Sequence, residues 1–134
     1  ITWYKFMYNQ DSNINNDNQY YKSESVTSSM IWNSQWDAAL NWILEGKYSD
    51  KVYTVTGNHV GSIRKTGQTG SDFMNNILDL SSNSLEWTLG AHVENARLYR
   101  GGAYFSGSPA YTYTSFRPLH ISNGLGSRLV IYIK

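Results

Sequence analysis

Asp79-Leu80-Ser81-Ser82-Asn83-Ser84-Leu85-Glu86-Trp87 decides how the rest of the chain is read. Two carboxylates, seven residues apart, bracket a run of small polar residues that ends in the strand-forming Leu85-Glu86-Trp87. Asp79 and Glu86 are chemically able to serve as general acid and base, or as oxygen ligands for a hard cation. The same residues also make a tight turn entering a strand, with Asn83 in a strained backbone position and Glu86 tying down loop amides. The turn is the simpler reading.

Upstream of this stretch, Trp36, Ala39, Leu40, Ile43 and Leu44 recur at i, i+3, i+4, i+7 and i+8. That stripe predicts an amphipathic helix over about 34–45. Ser34 is the expected N-cap, with Asp37 three residues on, and Gly46 the expected left-handed C′ residue. Trp32, Trp36 and Trp42 are assigned to core packing, in preference to a sugar-stacking surface. Residues 1–8 (ITWYKFMY) read as an opening strand, residues 9–19 as a polar loop, and Lys51 to Thr56 (KVYTVT) as a short strand or extended arm. Residues 57–70 hold four glycines without Gly-Lys-Ser/Thr, which reads as an irregular loop and not a phosphate cradle.

Downstream, Leu85–Leu89, Arg97–Tyr99 and Leu129–Ile133 read as short strands. One helix followed by short strands and long loops is an α+β pattern.

The 134 residues suit a single domain, 1–134, expected to be the C-terminal part of a longer chain. Lys and Arg number 11 against 10 Asp and Glu, so phosphate neutralisation is no basis for function, and no nucleic-acid partner is expected. No apolar run approaches the roughly 18 residues that span a bilayer, so this segment is not expected to insert. There are no cysteines, which excludes disulfides, thiol nucleophiles and cysteine metal sites. His59, His92 and His120 are scattered without ligand spacing, and Gly107-Ser108-Pro109 is no nucleophile elbow. No catalytic residue, metal ligand or cofactor is assigned.

The remaining signal is a contact surface. Tyr104, Phe105, Tyr111, Tyr113 and Phe116 crowd a segment otherwise made largely of Ser, Thr, Gly and Ala. Tyrosine among small polar residues is the composition of an adaptable binding face, because it gives rigid contact area at low entropy cost. One or two of these five aromatics are expected to be core.

Asp79 to Trp87, then Arg100-Gly101-Gly102, then Gly126-Ser127-Arg128, together resemble the D-x-x-G-N-x-x-E-W … R-G-G … G-F-R signature of formylglycine-generating-enzyme-like domains. The run Trp32 to Trp42 looks like that family's earlier helix, in which an acidic residue follows a Trp. The resemblance implies a C-type-lectin-like fold whose terminal strands meet. The family's oxidases need a cysteine pair, and its iron-dependent relatives a three-histidine site; this chain has no cysteine and its three histidines match no such site, so no enzyme is expected.

Variable proteins of diversity-generating retroelements use the same fold non-catalytically, displaying a C-terminal region whose codons mutate at adenines. Mutated AAC or AAT codons never encode Lys, Glu, Gln, Met or Trp. None of these occurs between Ala103 and Gly126, although they make up 22 of the 134 residues. The resemblance therefore implies a diversified surface over about 103–126 that binds a protein or glycan ligand on a cell surface. The contacts are Ala103, Phe105, Tyr111, Tyr113, Ser115, Phe116, His120, Ser122 and Asn123, and the location is a virion or a bacterial cell surface. Scaffold roles fall to Trp87, Arg100, Gly101, Gly102, Gly126 and Arg128. An enzyme of unfamiliar chemistry using Asp79, Glu86, His92 or His120 is one alternative; an oligomeric virion-assembly domain is another.

Overall fold

The computed structural model describes residues 26–59 and 61–133, with side chains from Ser28 onward, and Lys5. The opening strand read over 1–8 and the polar loop over 9–19 lie outside the described residues, except that Lys5 is helical.

The described elements are β1 (Val26–Met30), α1 (Asn33–Leu44), a 3-10 helix (Ser49–Tyr53), β2 (Phe73–Met74), β3 (Ile77–Leu78), β4 (Leu85–Val93), β5 (Ala96–Arg100), β6 (Tyr113–Phe116), β7 (Leu125–Ser127) and β8 (Leu129–Ile133). This is a mixed α+β fold. The main sheet runs β6-β5-β4-β7; β1 pairs antiparallel with β8, and β2 with β3. The strands are not all antiparallel, because β7 runs parallel to β4, with Leu85 opposite Leu125. No helix among the described residues is long and apolar enough to cross a membrane.

Helix α1 forms where the periodicity places it. Trp36, Leu40 and Ile43 are buried, joined by Ile31, Val52, Met74, Leu80 and Ala110 in the first core cluster. The start differs from expectation. Trp32, not Ser34, is the N-cap, and the Gln35 side chain turns back to accept the Trp32 N–H at 2.9 Å. Gly46 is not left-handed; Glu45 caps the helix in right-handed geometry, and the Gly46 N–H bonds Ile43 O at 3.0 Å.

Trp32 and Trp42 are not core residues, at 50% and 53% exposed. Trp42 lies six residues from Trp36, about 240° around the helix, while Trp32 precedes the helical turn. Trp87 is fully buried in the second cluster with Met30, Tyr99 and Leu125, its ring edge-on to Tyr99 at 5.4 Å.

Lys51–Thr56 is not a strand. Residues 49–53 wind as a 3-10 helix, which buries Val52 and lets Lys51 Nζ donate to Ser71 O at 3.1 Å. The β-forming composition is overridden by that packing. The β2–β3 hairpin turns through Asn75 and Asn76, both at positive φ, as a two-residue type I′ turn requires.

The Asp79–Trp87 stretch is the turn that its residues suggest, with Asp79 at φ 56° and Asn83 at φ 68°. Its side chains pin the glycine-rich loop. Asn83 Oδ1 accepts the Arg64 N–H at 2.8 Å and Asn58 Nδ2 at 3.1 Å, and Asn83 Nδ2 donates to Arg64 O at 2.9 Å. Asp79 Oδ2 accepts the Gly67 N–H at 2.9 Å.

Asp72 Oδ2 accepts Ser81 N–H, Ser81 Oγ–H and Ser82 Oγ–H at 2.7, 3.0 and 2.9 Å. Burial still pushes the Asp72 carboxyl above its ordinary 3.8, outweighing those bonds, and the Asp79 charge adds to the rise. A carboxyl that holds its proton more tightly when folded stabilises most below the unfolded pKa. That contribution is lost as pH rises through the folded pKa. Wild type should therefore lose stability relative to Asp72→Asn as pH rises above the ordinary value of 3.8, read from urea midpoints. Parallel pH profiles for the two proteins would contradict it.

Candidate functional site

The register of the main sheet lines up the sequence motifs. Gly126 on β7 lies opposite Glu86 on β4, Glu86 opposite Arg100 on β5, and Arg100 opposite Tyr113 on β6. Directly opposed residues share a face, so this is one row across all four strands. Helix α1 lies over the row through Trp36 and Asp37. The Trp36 ring stands 6.0 Å from the Arg100 guanidinium and 5.7 Å from that of Arg128.

Each arginine is ion-paired. Arg100 Nη2 donates to Asp37 Oδ1, and Arg128 grips both oxygens of Glu86 at 2.8 Å. Glu86 thus holds a guanidinium, a role not read for it from the sequence. Burial pulls the Arg100 pKa below its ordinary value despite Asp37. For Arg128, burial is outweighed chiefly by Glu86, which leaves the pKa raised.

A cleft of about 510 Å³ opens beside Arg100, between α1, the 3-10 helix and the β4-β5-β6 face. Asn33, Asp37, Leu40, Asn41 and Leu44 line it from α1, and Val52 and Tyr53 from the 3-10 helix. His92, Leu98, Arg100, Tyr111 and Tyr113 complete the wall. Tyr53 and Tyr111 meet with ring centroids 5.4 Å apart, and the Arg100 guanidinium sits 5.7 Å from the Tyr113 ring. Tyr53, Tyr111 and Tyr113 are all exposed. A volume of this size falls in the range of about 300–1,000 Å³ usual for small-ligand sites.

The nine contact residues read from sequence do not form one patch. Tyr111 and Tyr113 line the cleft. Ser115, opposite Leu98, is on the same sheet face. Phe116 is on the other face, stacked on Tyr99 at 5.7 Å and on His120 at 4.2 Å. Phe105 is exposed and edge-on to Tyr104, close against Gly124, with Ser122 and Asn123 in the adjoining turn.

Ala103 is a correction. It is fully buried, bridged to Ser106 through both backbone bonds, and its methyl faces no ligand. The expectation that one or two of the five aromatics are core also fails: Phe105, Tyr111, Tyr113 and Phe116 are exposed and Tyr104 is half-buried.

Asp79, Glu86, His92 and His120 do not converge. The two carboxylates border a second cavity of about 300 Å³ with Asn83 and Arg128, His92 lines the first, and His120 stacks on Phe116. Among the described residues, no group of three or more His, Asp or Glu side chains is placed to hold a metal ion.

Sequence reasoning missed Tyr53, Asn41 and Asn33 as cleft residues and took Arg100 as scaffold alone. No local signal marks them, because the helix and the sheet register bring them together across 60 to 80 positions. The acidic residue after Trp36 was the one available pointer.

Neither a protein-family profile nor a curated protein matches this sequence. Among solved structures, the crystal structure of CarF superposes with a TM-score of 0.56 at 18% identity, over 81% of this chain and 48% of that one. The chain thus spans about half the length of CarF and shares its fold over the aligned part.

Proposed function

We propose that this chain is a non-catalytic ligand-binding domain of C-type-lectin-like architecture, similar to the variable proteins of diversity-generating retroelements. It displays residues 103–126 to a protein or glycan on a cell surface, from a virion or a bacterial envelope. The observation that carries this reading is exposure: Phe105, Tyr111, Tyr113, Phe116, Leu119 and Ile121 all stand in solvent within that span. They fall on more than one face, and Tyr111 and Tyr113, side by side at the cleft, form the part concentrated enough to mark an interaction site. Both ends of the span are clamped, Arg100 by Asp37 and Arg128 by Glu86, so the residues between can vary without moving the scaffold.

Two measurements test it. Randomising Phe105, Tyr111, Tyr113 and Asn123 together should change ligand choice in a display experiment and shift stability by no more than about 0.5 kcal/mol per site. Collapse of the fold would count against a display role. The DNA encoding the chain should also carry a near-identical template repeat that differs only at adenines. A neighbourhood without that repeat removes the diversification claim and leaves a fixed binding domain.

A further inference from the structure

We infer that the cleft between α1 and β6 takes a neutral saccharide, held by side chains alone; this deepens the binding reading above and rests on it. Three observations converge. The walls are tyrosine faces: Tyr53, Tyr111 and Tyr113 are 59%, 48% and 60% exposed, and a sugar ring's C–H face packs on such surfaces. Leu40, Leu44, Val52 and Leu98 add apolar lining, and the charged groups are internally balanced. The cleft's one carboxylate, Asp37, is bonded to its one guanidinium, Arg100, so the pair brings no net charge to the cleft.

The third observation is unmet hydrogen bonding. Asn33 Oδ1 and Arg100 Nε, both on lining side chains, are buried without a partner. One needs a donor and the other an acceptor, and a hydroxyl is both; neither atom has surface open to the cleft, so a ligand hydroxyl reaches them only if the Asn33 and Arg100 side chains shift. The Asp37 side chain remains half exposed, which leaves carboxylate surface to accept further hydroxyls. A calcium-bridged sugar does not fit this lining, because one carboxylate already paired with Arg100 and the amides of Asn33 and Asn41 fall short of the roughly 6–8 oxygen ligands calcium takes.

The test is an array carrying neutral saccharides, uronic- and sialic-acid-terminated saccharides, and unmodified peptides, probed with the whole chain in calcium and again in EDTA. Binding to neutral saccharides is expected, weakened about tenfold or more by Tyr113→Ala and separately by Asn41→Ala, with each variant's folding checked by its melting temperature. Both side chains are exposed, so neither loss is a folding artefact if the melting temperatures hold. Tyr113-dependent binding confined to acidic saccharides or peptides overturns the saccharide inference while the binding reading stands. Binding abolished by EDTA also overturns it. Silence across all three classes sinks both.

Discussion

Gly102→Ala should lower stability by about 3 kcal/mol or more, with a fall in melting temperature of roughly 10 °C. A Cβ at Gly102 would stand 2.1 Å from Ser81 O and 2.6 Å from Ser108 O. Both neighbours are backbone, so no flexible side chain can swing aside. Gly101 is as tightly placed: its φ is +78°, and a Cβ there would meet Leu80 O at 2.3 Å. The two glycines lie flat against the Leu80–Ser81 backbone because that turn is itself immobilised by Asp72 and Asn83. The strain therefore spreads into β4, β5 and the turn together, instead of being absorbed locally. Gly46→Ala is the control. Its nearest neighbour is at 3.5 Å and its backbone is not left-handed, so stability should stay within about 0.5 kcal/mol or rise slightly. Urea unfolding of both variants decides the matter, and a Gly102→Ala protein as stable as the control would sink the close-approach argument.

The same contacts show what could be read in advance. Helix α1 and strands β4, β5 and β8 were legible because each carries a long enough period for one face to declare itself. Strands β2 and β3 are two residues each, too short for any period, and their only cue was the Asn75-Asn76 pair. The 3-10 helix was misread because Val52 and Tyr53 favour strands in isolation, while the burial of Val52 decides otherwise. Trp42 was misassigned because apolar character was read without helical phase.

In the site, Tyr111 and Tyr113 were legible from composition. Ala103 was not, since a small residue in a polar loop carries no mark of its burial. Asp37 and Arg100, 63 positions apart, meet only once β5 is docked against α1. That proximity belongs to the tertiary structure and to no local stretch.

Arg128→Met should cost about 3 kcal/mol, the lower end for breaking a buried ion pair, because Arg128 keeps 24% of its side chain in solvent. The cost comes less from lost attraction than from what is left behind: Glu86, at 9% exposure, would keep a largely buried negative charge without the guanidinium that balances it. Arg128 also donates Nη2 to Leu78 O at 3.0 Å, which ties the β2–β3 hairpin to the strand junction between β7 and β8. Arg128→Lys keeps the charge but loses the two-pronged grip, so it should fall between wild type and Arg128→Met. Glu86→Gln combined with Arg128→Met removes both charges. The double variant should then be more stable than the sum of the two single losses predicts, by about 0.5–3 kcal/mol in a double-mutant cycle. Strict additivity would mean that the pair is solvated and does not clamp the end of the 103–126 span. The clamp explains why aromatic residues between Arg100 and Arg128 can stay exposed. Beneath α1 the row is held by the Arg100–Asp37 and Arg128–Glu86 pairs, and under the proposed binding role the exposed rings of Tyr111 and Tyr113 are left to face a ligand.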